Sequence, residues 1–166
     1  MKTVLVLLLC IYIFTGPVKC QCPSGWTMND ESCYFLHTHD RYDWAESQTF
    51  CDGHHSHLVY IESKAENDFL KGMISQRLSN STDRKDHVWL GATDEIEERK
   101  FVWYYIEQPV TFTDWGPNEP NSNPIYGDED CLVSWAHYNW KWADLNCHAV
   151  NYFICERPVE SGSVVG

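Results

Sequence analysis

Oxygen-bearing side chains gather in four short segments in the second half of this 166-residue chain. Asp94, Glu95, Glu97 and Glu98 follow Trp89-Leu90-Gly91; Glu119 and Asn121 flank Pro120; Asp128-Glu129-Asp130 runs into Cys131; Trp142-Ala143-Asp144 lies just before Cys147. Carboxylates and amide carbonyls are hard donors, and calcium takes about six to eight such oxygens, more than one segment supplies. Four segments would build a calcium site if the fold brings them together. The plainer reading is an acidic, solvated surface. His54, His55 and His57, with His37 and His39 nearby, have donors for a transition metal but read better as surface residues beside a helix end. Nothing points to an enzyme: there is no Ser or Cys nucleophile motif, no metal-hydrolase spacing and no phosphate loop.

The elements that would have to position these donors form an α+β pattern. Residues 22–38 alternate turn residues with aromatics and read as a strand or short hairpin. Asp40 to Gly53 reads as a helix, with Asp40 as N-cap and Trp44, Gln48 and Cys51 on one face. Ser63-Lys64-Ala65-Glu66 has the form of a capping box, and Ala65, Phe69, Leu70, Met73, Ile74 and Leu78 then recur at helical spacing. Short β-type runs follow at Val88-Trp89-Leu90, Phe101 to Tyr105, Cys131-Leu132-Val133 and Tyr152 to Cys155, and Gly116 to Gly127 is an irregular loop rich in Pro and Asn. A loop of that length in a small domain is usually functional. Trp89, Trp103 and Trp142 are expected in the core, while Trp115, Tyr126 and Trp135 are close enough to the loop in sequence to stack on a ligand ring.

Residues 1–20 read as an export signal: Met1-Lys2, an apolar run from Val4 to Phe14, then Gly16-Pro17 and a cut before Gln21. The run is too short to span a bilayer, so the domain at 21–158, with a loose tail at 159–166, is expected outside the cell and without a membrane span. Six cysteines then remain, Cys22, Cys33, Cys51, Cys131, Cys147 and Cys155. In an oxidising compartment they read as a disulfide framework, with fifteen pairings open on spacing alone. The leader removes two of the 12 basic residues and none of the 24 acidic ones, leaving a charge of about −14. That argues against nucleic acid or an anionic membrane as a partner. Asn80-Ser81-Thr82 is an N-glycosylation sequon.

Trp89-Leu90-Gly91, Glu119-Pro120-Asn121, Trp142-Ala143-Asp144 and the six cysteines, in this order, resemble a C-type lectin-like domain across about residues 22–157, and within that family the perlucin-like secreted lectins. The resemblance implies the long form of the fold, two helices with antiparallel sheets and a long calcium-binding loop. It also implies the pairs Cys22–Cys33, Cys51–Cys155 and Cys131–Cys147. It implies Ca2+ held by Glu119, Asn121, Glu129 and Asp144, with the same side chains bonding the sugar hydroxyls that coordinate the ion. Pro120, cis in the family, would aim the flanking carbonyls at that ion. Glu-Pro-Asn goes with equatorial 3- and 4-hydroxyls, as in mannose. An auxiliary calcium site would use Asp94, Glu98, Glu129 and Asp130. Two positions depart from the family pattern: Ala143 stands where Asn is usual and removes a ligand, and Ser122 stands where Asp is common. The function implied is a secreted, calcium-dependent lectin binding mannose-type glycans on microbial surfaces in innate immune recognition. The alternative is an acidic extracellular or biomineral matrix protein that uses the fold without sugar. One domain binds monosaccharides weakly, so such a lectin would gain from forming an oligomer.

Overall fold

The structure is a computed structural model that describes residues 21–79, 86–122 and 127–160. The expected signal segment, Asn80, Tyr126 and the chain from 161 onward lie outside the described residues. The chain enters through a hairpin: Thr27–Asn29 (β1) turns at Asp30, φ 50°, and returns as Ser32–Tyr42 (β2). β2 is longer than expected. Its ladder with the last strand, Asn151–Pro158 (β9), extends to Tyr42↔Asn151 and draws Asp40 into extended backbone. The first helix (α1) therefore spans Trp44–Gly53, and its N-cap is Asp43 rather than Asp40. The Asp43 carboxylate accepts the Glu46 N–H at 2.8 Å while Glu46 accepts the Asp43 N–H at 3.1 Å, a reciprocal pair that satisfies two free amides. Trp44, Gln48 and Cys51 are buried on one face.

The second helix, Lys64–Arg77 (α2), starts at Ser63, whose hydroxyl accepts the Glu66 N–H at 3.2 Å. Glu66 does not bond back to the cap. Its two oxygens take the Tyr34 O–H at 2.8 Å and the Glu62 N–H at 3.1 Å, so a cross-strand partner replaces half of the expected box. The buried stripe is Asn67, Leu70 and Ile74, backed by Phe69, Met73 and Leu78. Ala65, expected in that stripe, is exposed, and Asn67 takes its place because it is hydrogen-bonded on both sides.

The remaining strands are His57–Leu58 (β3), His87–Thr93 (β4), Val102–Trp103 (β5), Gln108–Pro109 (β6), Cys131–Trp135 (β7) and Lys141–Leu145 (β8). The expected Phe101 to Tyr105 run keeps only two residues as strand. The sheet runs β1-β2-β9-β4-β5-β6, with β3 on β9 and the β7–β8 hairpin on β4. Every pairing is antiparallel except β4 with β9, which is parallel at Val88↔Tyr152 and Trp89↔Phe153. The architecture is thus α+β with two helices and a mixed, mostly antiparallel sheet. Trp89, Trp103 and Trp142 are core residues, none more than 2% exposed. Gly91 has a packing reason: a Cβ there would sit 2.6 Å from the Leu58 carbonyl oxygen. Among the described residues the disulfides are Cys22–Cys33, Cys51–Cys155 and Cys131–Cys147, the pairing the resemblance implies. The Val159 N–H donates to the Glu31 carbonyl, and Gln21 bridges to Glu160, so the two ends of the described chain lie side by side. Among the described residues no helix is long and apolar enough to cross a membrane.

Candidate functional site

The loop is laid along β8 before it reaches its acidic residues. The Trp142 N–H donates to the Asp114 carbonyl at 2.9 Å, the Gly116 N–H donates to the Trp142 carbonyl at 2.7 Å, and Trp115 bridges Trp142 in parallel. Beneath it, α2 fixes the base: Asn67 and Lys71 both donate to the Asp114 carboxylate at 2.9 Å, and the Trp142 indole N–H donates to Asn67 at 3.0 Å. From this base Asn118 takes φ 67°, Glu119–Pro120 is cis, and Ser122 takes φ 45°.

Of the four residues expected to hold the principal ion, the fold links Glu119, Asn121 and Asp144, with Glu129 near enough for its charge to act on Glu119. Asp144, 4% exposed at the end of β8, accepts the Asn121 N–H at 2.9 Å and the Ser122 N–H at 2.7 Å. The Asn121 amide donates to Glu119 at 2.5 Å. Burial first, then a hydrogen bond with Asp144 and the charges of Asp144 and Glu129, push the Glu119 carboxyl up to about 7. Glu129 is buried at 6% exposure.

The auxiliary group lies next to it. Asp94, 3% exposed, accepts the Arg99 N–H at 2.7 Å through Oδ2, while Oδ1 is buried without a hydrogen-bond partner. Its carboxyl is pushed up to about 6, by burial first and then by Glu98 and Asp130, and Asp130 is raised by burial and by Asp128, Glu98, Glu95 and Asp144. Glu98 accepts the Ser122 hydroxyl, so the residue standing in place of Asp is itself tied to this group. Ala143 packs at 2% exposure among Trp89, Cys131, Val133 and Phe153 and offers the loop no donor.

Among the described residues, no three His, Cys, Asp or Glu side chains stand ready as a metal cluster. The donor chemistry nevertheless fits a hard cation. Six carboxylates and an amide lie at or beside one loop, three of the carboxyls, Glu119, Asp94 and Asp130, are held above their usual range, and one buried oxygen of Asp94 has no partner. An entering ion would have to displace the Asn121–Glu119 and loop–Asp144 hydrogen bonds. The histidines do not converge: His37 stacks on Phe153 at 4.7 Å, His54 on Phe50 at 4.4 Å and His57 on Tyr105 at 3.8 Å.

Of the aromatics expected near the loop, Trp115 packs against Trp142 and Phe101, and Trp135 is wedged between His87 and Tyr138. The ring that reaches the site is Tyr138, in the 3-10 turn Ala136–Tyr138 at the tip of the β7–β8 hairpin. Its hydroxyl bonds Glu119, and burial and that charge raise it. Its face lies so close over Gly116 that a Cβ there would be 2.3 Å from the ring. Nothing in the spacing of residues 116 and 138 announces this contact. The one hint is an aromatic at a hairpin tip just before Trp142.

This combination of fold, disulfides and cis-proline loop defines a lectin-type domain, and the C-type lectin domain family model matches residues 40–157: the chain belongs to that family. It is 36% identical over 137 residues to the human C-type lectin domain family 17, member A, covering 82% of this chain and 32% of that one. It is 32% identical over 137 residues to perlucin of Haliotis laevigata, covering 82% of this chain and 83% of perlucin. The chain thus spans about a third of the length of the human relative. Among solved structures it superposes on the mouse scavenger receptor C-type lectin carbohydrate-recognition domain with a TM-score of 0.72 and 27% identity, covering 86% of this chain and all of that one. The cow CD23 domain, solved in the presence of a GlcNAc2Man3 oligosaccharide, gives 0.70 and 26%, covering 86% and 99%. SPL-1 in its GlcNAc complex gives 0.69 and 31%, covering 84% and 96%.

Proposed function

We propose that this chain is a secreted, calcium-dependent lectin for mannose-type glycans, acting in innate immune recognition of microbial surfaces. The observation that carries the reading is the convergence of Glu119, Asn121 and Asp144 around cis-Pro120, with Glu129 close enough to raise the Glu119 carboxyl. These four would hold the principal ion; Asp94, Glu98, Glu129 and Asp130 would hold an auxiliary one. Calcium, when bound, offers coordination positions to two neighbouring sugar hydroxyls. The chain's own groups then set the choice of sugar. Glu119 accepts a hydrogen bond and Asn121 donates one, in the order that suits equatorial 3- and 4-hydroxyls. Cleavage before Gln21, a glycan on Asn80 and a tail that begins after Glu160 rather than at 159, since Val159 and Glu160 are bonded to Glu31 and Gln21, belong to the same reading. The neighbours solved with GlcNAc-containing sugars support the ligand class. Retention on mannan in calcium with release by EDTA is the expected result, and retention that ignores EDTA would overturn it.

A second reading, an acidic extracellular or mineral-associated matrix protein, draws on the charge of about −14 left once the leader is removed. It predicts that carbonate-crystal binding survives loss of Glu119 and Asp144.

A further inference from the structure

A cleft of about 560 Å³ opens beside the loop with Pro120 in its wall. Phe101 and Trp115, ring centroids 5.0 Å apart, form its apolar side, and the exposed Arg99 and Lys100, with Glu97 paired to Lys100, form its polar side. Arg99 is presented deliberately. It sits at φ 65° in the turn between β4 and β5, and its N–H is clamped by buried Asp94 at 2.7 Å. Among the described residues, acidic partners take up Arg41, Lys64, Lys71, Lys100, Lys141 and Arg157, whereas Arg77, far off on α2, and Arg99, at this cleft, have none. The acids of its own turn are engaged elsewhere, Glu97 with Lys100 at 2.5 Å and Glu98 with Ser122. What sets Arg99 apart is its place: it lines the same cleft as Phe101, Trp115 and Pro120. A guanidinium presents a planar fork of donors matched to a carboxylate or sulfate, and an apolar wall with few polar groups is the usual make-up of a small-ligand site.

We propose that this cleft is a second sugar subsite that takes an acidic ring, a uronate or a sulfated sugar, linked to the residue held by Glu119 and Asn121. The proposal rests on the lectin reading above. Pro120 lies between the two donors of the principal site and also walls the cleft, so one glycan reaches both.

The test is calorimetric titration, in calcium, of a neutral mannose disaccharide and of two counterparts in which the second ring is a uronate or carries a sulfate. The acidic disaccharides are expected to bind about fivefold tighter than the neutral one, with the advantage shrinking in high salt. Comparing the two arms tells carboxylate from sulfate. Arg99→Gln should erase the advantage and leave the neutral affinity unchanged; Glu119→Gln should abolish neutral binding. Neutral binding without an acidic advantage, or an advantage that survives Arg99→Gln, overturns the subsite and leaves the lectin reading standing. Acidic binding that needs Arg99 without any neutral binding supports the cleft and overturns the principal-site reading. No binding to any of the three overturns both.

Discussion

Asp144 holds the loop by two consecutive amides, accepting the Asn121 N–H at 2.9 Å and the Ser122 N–H at 2.7 Å. The same carboxylate is one of the proposed calcium donors. One side chain therefore both closes the loop and would be needed by the ion. Asp144→Ala is expected to cost about 1–3 kcal/mol of stability even in EDTA, because two amides lose their acceptor, and to end calcium-dependent retention on mannan. Glu119→Gln should end retention alone, with stability within about 0.5 kcal/mol of wild type. Denaturant titration in EDTA beside a mannan column separates the two effects; equal stability losses would contradict the division.

Ala143→Asn restores the donor usual in the family, but the side chain at 143 faces the apolar cluster around Trp89 and Phe153. Without calcium the amide is buried among apolar groups and should cost about 1–3 kcal/mol. With calcium it gains an oxygen–metal bond, so calorimetry should show tighter calcium binding. A variant as stable as wild type in EDTA would mean that the amide has another partner.

Gly116 and Tyr138 are expected to behave as a coupled pair. Gly116→Ala drives a methyl into the Tyr138 ring and so displaces the hydroxyl from Glu119. Sugar affinity and melting temperature should both fall. Adding Tyr138→Ala should recover much of the stability but not the affinity. Simple additivity in a double-mutant cycle would show that the two do not act together.

The buried Glu156 carboxyl is pushed up to about 7, by burial first and then by Glu66 and Glu62, against a hydrogen bond from Ser32 at 2.7 Å. Its folded pKa lies above its unfolded one. The stability gained by holding a proton is therefore full below about pH 4.5 and is lost as pH rises through about 7. In EDTA this group should remove roughly 2–3 kcal/mol between about pH 5 and 8, and Glu156→Gln should flatten that part of the profile. His87, pushed down to about 4 by burial, acts in the other sense, losing stability as pH falls from 6.5, so the window above 6.5 is free of it. A wild-type profile identical to that of Glu156→Gln would show that the carboxyl titrates normally.

Local chemistry made much of this molecule legible in sequence. Trp89, Trp103 and Trp142 announced themselves as core and α2 by its apolar spacing, while Glu119, Asn121, Glu129 and Asp144 were named only through the resemblance to C-type lectins. What stayed hidden was decided across long separations. Asp40 looks like a helix cap, but the β2–β9 ladder, 109 residues apart at Tyr42↔Asn151, keeps it extended. Ala65 has the right spacing for the buried stripe, yet Asn67 takes the place because it bonds Asp114 and Trp142. Tyr138 reaches Glu119 only because the β7–β8 hairpin folds over Gly116.

Gln21 and Glu160 meet in a bridge beside the β1–β2 turn at one edge of the sheet, while Asp144 lies on β8, separated from β1 by β2, β9, β4 and β7. Anything joined to either terminus, whether a stalk, a tag or a second head, departs from an edge that bears none of the proposed ligand residues. Copies mounted on a shared scaffold by either end would be tethered at residues other than those of the loop. The reach of their tethers, rather than any change in the pocket, would then govern how firmly a repetitive surface is gripped.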